Sequence, residues 1–331
     1  MKKLIVTLAL LATTAQTSPS PERNILTWPM PDTVSEQGRA VASAMAAQPM
    51  PNPMPPVAVQ RQMIDGMQQA MSVPLLKRYP VKLEITTIAG VPVRVVLPQG
   101  MAALGRGAVL LNLHGGGFQV DSGSLTETIP IASLTGIPVV SVLYRMAPEY
   151  PYPAALDDAL AVYQALAKER RPSQIAVYGT SAGAVLSAEL MAKLVSLKAP
   201  MPAALGFFSG SGDFAHGGDS ATWMPLPTGG KTMAEAMAGY IGKTSPTDPI
   251  LSPQYGDLSR FPPTLLVSST RDALLSGTVI FGRKLLEQGV DARLVVFDGL
   301  PHAFWAYMDI PETDQANGLM AKYLRSSLAG R

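Results

Sequence analysis

The chain has 331 residues, of which 47% are hydrophobic and 15% are charged. This composition supports one large buried core and argues against intrinsic disorder. The 26 basic and 24 acidic residues leave a net charge of only +2, so no basic nucleic-acid-binding surface is expected. The sequence contains no cysteine, which excludes disulfides and thiolate metal sites.

The N-terminal residues have the layout of a secretory signal peptide. Lys2 and Lys3 precede an apolar run over residues 4–12, and small residues follow, with Ala15 as the predicted last residue before cleavage. The run is shorter than the roughly 20 residues of a membrane-spanning helix, so a cleaved leader over residues 1–15 is favoured over a stable membrane anchor. We therefore expect a periplasmic or secreted protein.

Residues 16–75 are predicted to form a lead-in followed by cap helices. Helical spacing occurs at 34–47 and again at 58–71. The segment between them, QPMPNPMPPV, interrupts the pattern with prolines. Its methionines are potential ligands for a soft metal, but a proline-stiffened connector is the favoured interpretation.

From residue 76 onward, short apolar segments alternate with helical patterns. VKLEITTI and VPVRVVLP flank Ala89-Gly90 and predict a β-hairpin. Six further runs predict strands that are buried on both faces: AVLLNLH, PVVSVLY, QIAVYG, AALGFFSG, TLLVSST and RLVVFDG. Helical patterns at 154–169, 182–197 and 277–288 separate most of them. The alternation predicts an α/β fold with a mostly parallel central sheet and helices on both faces.

One segment interrupts this alternation. Residues 211–261 are rich in glycine, proline and polar residues around a short helical piece. We interpret them as a cap insertion over the strand ends, which divides the catalytic domain into residues 76–210 and 262–331.

A single serine stands where a predicted strand meets a predicted helix. Ser181 in GTSAG lies two residues from both Gly179 and Gly183, the Gly-x-Ser-x-Gly pattern of a nucleophile turn. The turn presents the hydroxyl at the carboxyl edge of the sheet and leaves the Ala182 N–H at a helix N-terminus, where developing negative charge is favoured. We predict a nucleophile here, with a purely structural glycine turn as the alternative.

A serine nucleophile needs a base, and the chain has three histidines: His114, His216 and His302. In hydrolases with this turn, the partners follow in the order serine, acid, histidine. That order selects His302 and excludes His114, which precedes the serine. His216 is the second candidate, although it comes before any acid that ends a strand.

Two aspartates are candidates for the acid that orients the histidine. Asp272 follows the strand TLLVSST, and Asp298 ends the strand RLVVFDG, only four residues before His302. A residue so close in sequence more naturally makes turn or capping contacts. We therefore favour Asp272, whose role is to fix the tautomer and stabilise the imidazolium.

The segment His114-Gly115-Gly116-Gly117 follows the strand AVLLNL. This is the position from which such hydrolases provide a second set of oxyanion-hole amides, and successive glycines let bare N–H groups approach a substrate oxygen. A flexible turn is the structural alternative.

These motifs together resemble the hormone-sensitive-lipase-like family of α/β-hydrolases, the bacterial family IV esterases. The matching segments run in the family's order: HGGG at 114–117, YRMAPEYPYPAALDDAL at 144–160, GTSAG at 179–183, DPILSP at 248–253, RDALL from Arg271, and PHAF at 301–304. The resemblance implies an α/β-hydrolase fold with a helical cap. It also implies a carboxylic-ester hydrolase for short-to-medium acyl esters, with no metal or organic cofactor.

The resemblance further implies a residue-level assignment. Ser181, Asp272 and His302 would form the triad, and the N–H groups of Gly116, Gly117 and Ala182 would form the oxyanion hole. Arg145 and Glu149 would be structural. Five apolar residues in or near the insertion either line a substrate pocket or pack within the cap: Phe207, Phe208, Trp223, Met224 and Met233.

Some alternatives stay open at this point. An amidase or acyltransferase would use the same groups, and a member of the fold without activity would bind a small molecule. The motif reads GTSAG where GDSAG is commoner in the family, and a secretory leader is unusual there. The family often pairs through its last strand, which makes a homodimer a further possibility.

Overall fold

The computed structural model describes residues 29–47, 54–224 and 232–328. The predicted signal peptide and most of the proline-rich connector lie outside these ranges. Within them the chain forms ten α-helices and eight β-strands. No helix in this part of the chain is both long and apolar enough to span a membrane.

The eight strands form one mostly parallel sheet with the order β1-β2-β4-β3-β5-β6-β7-β8. The first two strands form the predicted hairpin, β2 is also antiparallel to β4, and all other pairs are parallel. The bounds are β1 Val81–Ile88, β2 Val91–Pro98, β3 Val109–Leu113, β4 Val139–Val142, β5 Ile175–Thr180, β6 Ala204–Phe208, β7 Thr264–Arg271 and β8 Ala292–Pro301. The predicted α/β architecture is confirmed.

The helices cover both faces of the sheet because the inner strands carry apolar side chains on both sides. Residues of α4, α5 and α9 belong to the core on one face, and residues of α1, α3 and α10 to the core on the other. The bounds are α1 Glu36–Ala46, α2 Val57–Arg78, α3 Ile129–Thr135, α4 Ala154–Glu169, α5 Ala182–Ser196, α6 Ser220–Trp223, α7 Met233–Ala236, α8 Ala238–Ile241, α9 Leu275–Glu287 and α10 Pro311–Leu328.

Three helices differ from the sequence-based expectation. Helix α2 continues to Arg78, past the predicted end at residue 71 and through Pro74. Buried Gln68 and Ser72 anchor it against the domain, and this tertiary packing outweighs the local cost of a proline. Helices α3 and α10 were not predicted, since α3 has only seven residues and α10 begins with the polar run PETDQANG.

The insertion between β6 and β7 carries the short helices α6, α7 and α8. Tyr240 of α8 stacks on Phe118, with 3.5 Å between ring centroids. Its hydroxyl donates a 2.6 Å hydrogen bond to Glu189 Oε2 in α5. The insertion is therefore attached to the catalytic domain beside the glycine-rich loop that follows β3.

Candidate active site

The turn at Ser181 is built by backbone groups packed too closely for any side chain larger than hydrogen. A Cβ at Gly183 would lie 1.8 Å from the Leu113 carbonyl oxygen, and one at Gly179 would lie 2.4 Å from the Gly183 oxygen. Ser181 itself has φ 57° and ψ −123°. These contacts fix the serine between the end of β5 and the first turn of α5.

The structure brings Ser181, His302 and Asp272 together from three separate strand ends. Ser181 Oγ lies 2.9 Å from His302 Nε2, and His302 Nδ1 lies 2.7 Å from Asp272 Oδ1. Asp272 is fully buried and also accepts hydrogen bonds from Ser268 Oγ at 2.8 Å and from the Leu274 N–H at 2.8 Å. The Tyr307 hydroxyl donates to the His302 carbonyl oxygen.

His302 and Asp272 each stabilise the charged form of the other. Burial alone would disfavour the charged imidazole, but the Asp272 charge and hydrogen bond outweigh it and raise the pKa of His302. Burial alone would likewise raise the pKa of Asp272, but the charge and hydrogen bond of His302 keep it below its usual value. Asp272 is therefore an ionised acceptor for the Nδ1–H, which leaves Nε2 free to accept a proton.

The alternative acid and base lie elsewhere. Asp298 accepts hydrogen bonds from Thr33 at 2.6 Å and Thr270 at 3.1 Å, which are long-range contacts rather than the turn or capping contacts expected of it. His216 is 76% exposed and contacts Asp213 and Tyr255 in the insertion.

The glycine-rich loop lies on the other side of Ser181. Gly116 has φ 117°, and a Cβ there would lie 1.9 Å from the Val120 oxygen. Gly117 also has positive φ, at 61°. His114 is buried behind the loop, where its ring stacks on Tyr144 at 4.1 Å. Its Nδ1 lies 2.8 Å from the Gly115 carbonyl oxygen and 3.7 Å from Asp121 Oδ1, and its ring does not contact Ser181.

Helix α2 holds this loop through two side chains on one face. Gln68 Nε2 donates to the Asp121 carbonyl oxygen at 2.6 Å, and its Oε1 accepts from the Leu125 N–H at 3.1 Å. Arg61 Nε donates to the Gln119 oxygen at 2.8 Å. Arg61 also pairs with Glu149 at 2.7 Å, so the expected structural role of Glu149 includes anchoring this helix.

A cavity of about 200 Å³ lies above Ser181. Its lining includes two loop glycines, Gly115 and Gly116, but neither Gly117 nor Ala182. The other lining residues are Met67, Ser122, Thr126, Glu127, Thr180, Ser181, His302, Ala303, Ala306 and Tyr307.

None of the five apolar residues for which both a pocket role and a packing role were open lines this cavity. Phe207 is fully buried in the core against Phe281, at 4.8 Å between ring centroids, because its side chain lies on the face that α9 covers. Trp223 donates from Nε1 to Asp219, the residue before its own short helix, and Met224 is buried beside it. Phe208 contacts Tyr178 and Trp305 on the opposite face of the sheet.

Sequence reasoning missed the residues that complete the cavity. Glu127 and Met67 line it, and Arg61 and Gln68 fix its loop, yet none of them belongs to a motif used above. The side-chain hydrogen-bond partners of Glu127, Gln68 and Arg61 lie 12 to 88 positions away, so no local pattern marks these residues. In the described part of the chain, no three acidic or histidine side chains converge as a metal site requires.

Comparison with known proteins agrees with this architecture. Residues 110–306 match the protein family described as the alpha/beta hydrolase fold. An acetyl-hydrolase of Streptomyces hygroscopicus is 31% identical over 234 residues, which cover 67% of this chain and 76% of that protein.

Two crystallised esterases share the fold over most of their length. One is 32% identical with a TM-score of 0.78, covering 91% of this chain and 96% of its own. The other, from the bacterial hormone-sensitive lipase family, is 29% identical with a TM-score of 0.75, covering 86% and 95%. The chain therefore belongs to the α/β-hydrolase fold family and, within it, to the hormone-sensitive-lipase-like esterases, as a carboxylesterase-type hydrolase.

Proposed function

We propose that this esterase cleaves short-to-medium acyl esters through an acyl-enzyme on Ser181. The observation that carries the proposal is the 2.9 Å approach of Ser181 Oγ to His302 Nε2, with Asp272 bonded to the opposite ring nitrogen. This is the arrangement in which an imidazole accepts the proton of an attacking hydroxyl.

The proposed reaction has two halves. His302 takes the Ser181 proton as the oxygen attacks the ester carbonyl, and Asp272 stabilises the resulting imidazolium. The N–H groups of Gly116, Gly117 and Ala182 hold the oxyanion until the alcohol leaves with the proton from His302. Water then attacks the acyl-enzyme, with His302 again as the base, and the acid is released.

The size of the cavity supports a small acyl group. Its volume of about 200 Å³ is below the range of roughly 300–1,000 Å³ typical of sites for drug-sized ligands. We expect kcat/KM for p-nitrophenyl esters to be highest from acetate to hexanoate and to fall steeply towards palmitate. Equal rates for butyrate and palmitate would reject this assignment of acyl length.

Replacement of the nucleophile tests the mechanism. Ser181→Ala should lower kcat for p-nitrophenyl butyrate by about 10⁴-fold or more, because the members of a triad act as a unit. Ser196→Ala, at the exposed end of the same helix, is the matched control and should keep wild-type kinetics. A binding protein without activity would show no difference between the two variants.

We also propose that the protein is exported. The support is the signal-peptide pattern of residues 1–15, which lie outside the described ranges. N-terminal sequencing of protein from the periplasm and medium should find a start near residue 16, and a start at Met1 would contradict export.

A further inference from the structure

One buried acid in the cavity has no part in the mechanism proposed above. Glu127 is only 5% exposed and lies just before α3, yet it lines the same cavity as Ser181 and His302. Ionised carboxylates are rarely buried without a cation, so a glutamate here needs a physical reason.

The Glu127 carboxyl group connects the segments around the oxyanion loop. Its Oε1 accepts a hydrogen bond from the Gly115 N–H at 3.1 Å. Its Oε2 lies 3.3 Å from Asn112 Nδ2 near the end of β3. Gly115 directly precedes Gly116, so the carboxyl fixes the base of the proposed oxyanion hole.

The carboxyl group is also enclosed by glycines at both ends of this loop. A Cβ at Gly123 would lie 1.8 Å from Glu127 Oε1, and a Cβ at Gly115 would lie 3.2 Å from it. The Glu127 N–H in turn donates to the Gly123 oxygen at 2.9 Å. Because the loop closes around this side chain, its position is fixed independently of substrate.

Burial favours the neutral form of Glu127. Within the described residues, the hydrogen-bond donors to its carboxyl group carry no charge that would offset this burial: they are the Gly115 amide and Asn112. The pKa of Glu127 is raised to about 8: burial is the largest cause, the hydrogen bonds oppose it, and the charge of Asp121 adds to it. The titratable groups that face this region are His114, Asp121, Tyr144, Tyr178 and His302, and Arg94 contacts Ser124 further along the loop.

We propose that Glu127 is a positioning residue that works as a neutral carboxylic acid, holding Gly115 in place without adding a negative charge beside the oxyanion. The inference rests on the proposed function of Ser181. It has a kinetic consequence, because loss of the Glu127 proton at alkaline pH places a charge where negative charge develops in the transition state.

The test is the pH dependence of kcat between pH 6 and 9.5 for the full-length protein. With p-nitrophenyl butyrate and subtraction of spontaneous hydrolysis, wild-type kcat should fall by roughly tenfold or more above pH 8. Glu127→Gln should lose this fall, since its side chain does not ionise. At pH 7 it should lower kcat by up to about tenfold with a smaller change in KM, because its NH₂ group faces that of Asn112.

Glu189→Gln is the matched control. Glu189 is also fully buried and its pKa is also raised by burial, but it bonds to Tyr240 rather than to the loop. We expect this variant to keep the alkaline fall. An alkaline fall that persists in Glu127→Gln, or that disappears in Glu189→Gln as well, would overturn the proposal.

Two measurements keep the result interpretable. A wild-type kcat that stays constant to pH 9.5 would overturn the inference even if Glu127→Gln does not fold. Burst kinetics distinguish a failure of the Glu127 inference from a failure of the proposed mechanism. A p-nitrophenol burst that depends on Ser181 supports the acyl-enzyme whatever the pH profile of kcat shows.

Discussion

The two walls of the cavity are held in place by different means. On the Ser181 wall, backbone packs on backbone: Gly183 lies so close to the Leu113 carbonyl that a Cβ would sit 1.8 Å from the oxygen. On the opposite wall, the loop from His114 to Glu127 is held by side chains that reach it from other segments. Gln68 bonds to it across 53 positions of sequence, and Arg61 across 58.

This difference has consequences for mutation. A methyl group added at a backbone contact with no spare space must displace the backbone, whereas a side-chain hydrogen bond can be removed without moving it. We therefore expect large effects on the Ser181 wall and graded effects on the loop wall. The following substitutions test that ranking.

The largest effect is expected from the acid behind the histidine. Asp272→Asn should lower kcat by about 10⁴-fold, because the amide favours the wrong imidazole tautomer and removes the charge that stabilises the imidazolium. Steady-state kinetics with p-nitrophenyl butyrate measures this. Asp298→Asn is the control, since Asp298 contacts Thr33 and Thr270 instead, and should change kcat little.

A smaller but still large loss is expected at the turn. Gly183→Ala should lower kcat by about 10²-fold or more, because the added methyl displaces the Leu113 carbonyl and misplaces Ser181. It should also lower stability by about 1–3 kcal/mol, which thermal unfolding measures. Gly318→Ala in α10 is the control, since a Cβ there meets nothing within 4 Å. Equal behaviour of both variants would contradict close packing at the turn.

Substitutions on the loop wall should lower kcat less than those at the turn. Gln68→Ala leaves the Leu125 N–H without its acceptor and should cost about 1–3 kcal/mol of stability, with kcat lowered about tenfold as the loop loosens. Gln69→Ala, one residue further on the exposed side of α2, should leave both quantities near wild type. A loss in Gln69→Ala as large as in Gln68→Ala would assign the effect to the helix in general.

The smallest effect is a shift in pH dependence. His302 must be neutral to accept a proton, and the Asp272 charge raises its pKa despite burial. We therefore expect kcat/KM to rise with pH through a midpoint above the ordinary imidazole value of about 6.5. The residual activity of Asp272→Asn should have a lower midpoint, and an unchanged midpoint would contradict the coupling of the two residues.

The same contrast explains what could be predicted from sequence. Gly179, Ser181 and Gly183 lie within five positions, and their spacing indicates the close backbone packing that the structure shows at this turn. The central strands were equally clear, because burial on both faces gives short continuous apolar runs. The order of motifs along the chain then led to Asp272 and His302.

No short sequence pattern marks the residues that hold the loop wall in place. Glu127 stands in the segment SLTETIPI, where a lone glutamate reads as an ordinary polar residue, and its partner is a backbone N–H 12 positions earlier. Gln68 lies in a helix whose other glutamines are exposed or only half-buried, so only its contacts in the folded structure distinguish it. For Phe207, its position near the insertion left a pocket role and a packing role open, and the structure places it in the core.

Reaction with a fluorophosphonate directly tests whether the Ser181 hydroxyl is activated, because the reagent phosphonylates an activated serine regardless of which ester the enzyme prefers. The account predicts one label per chain, located at Ser181 by peptide mass spectrometry, absent in Ser181→Ala and strongly slowed in His302→Ala. Labelling of a different residue, or no labelling of folded wild-type protein, would contradict it.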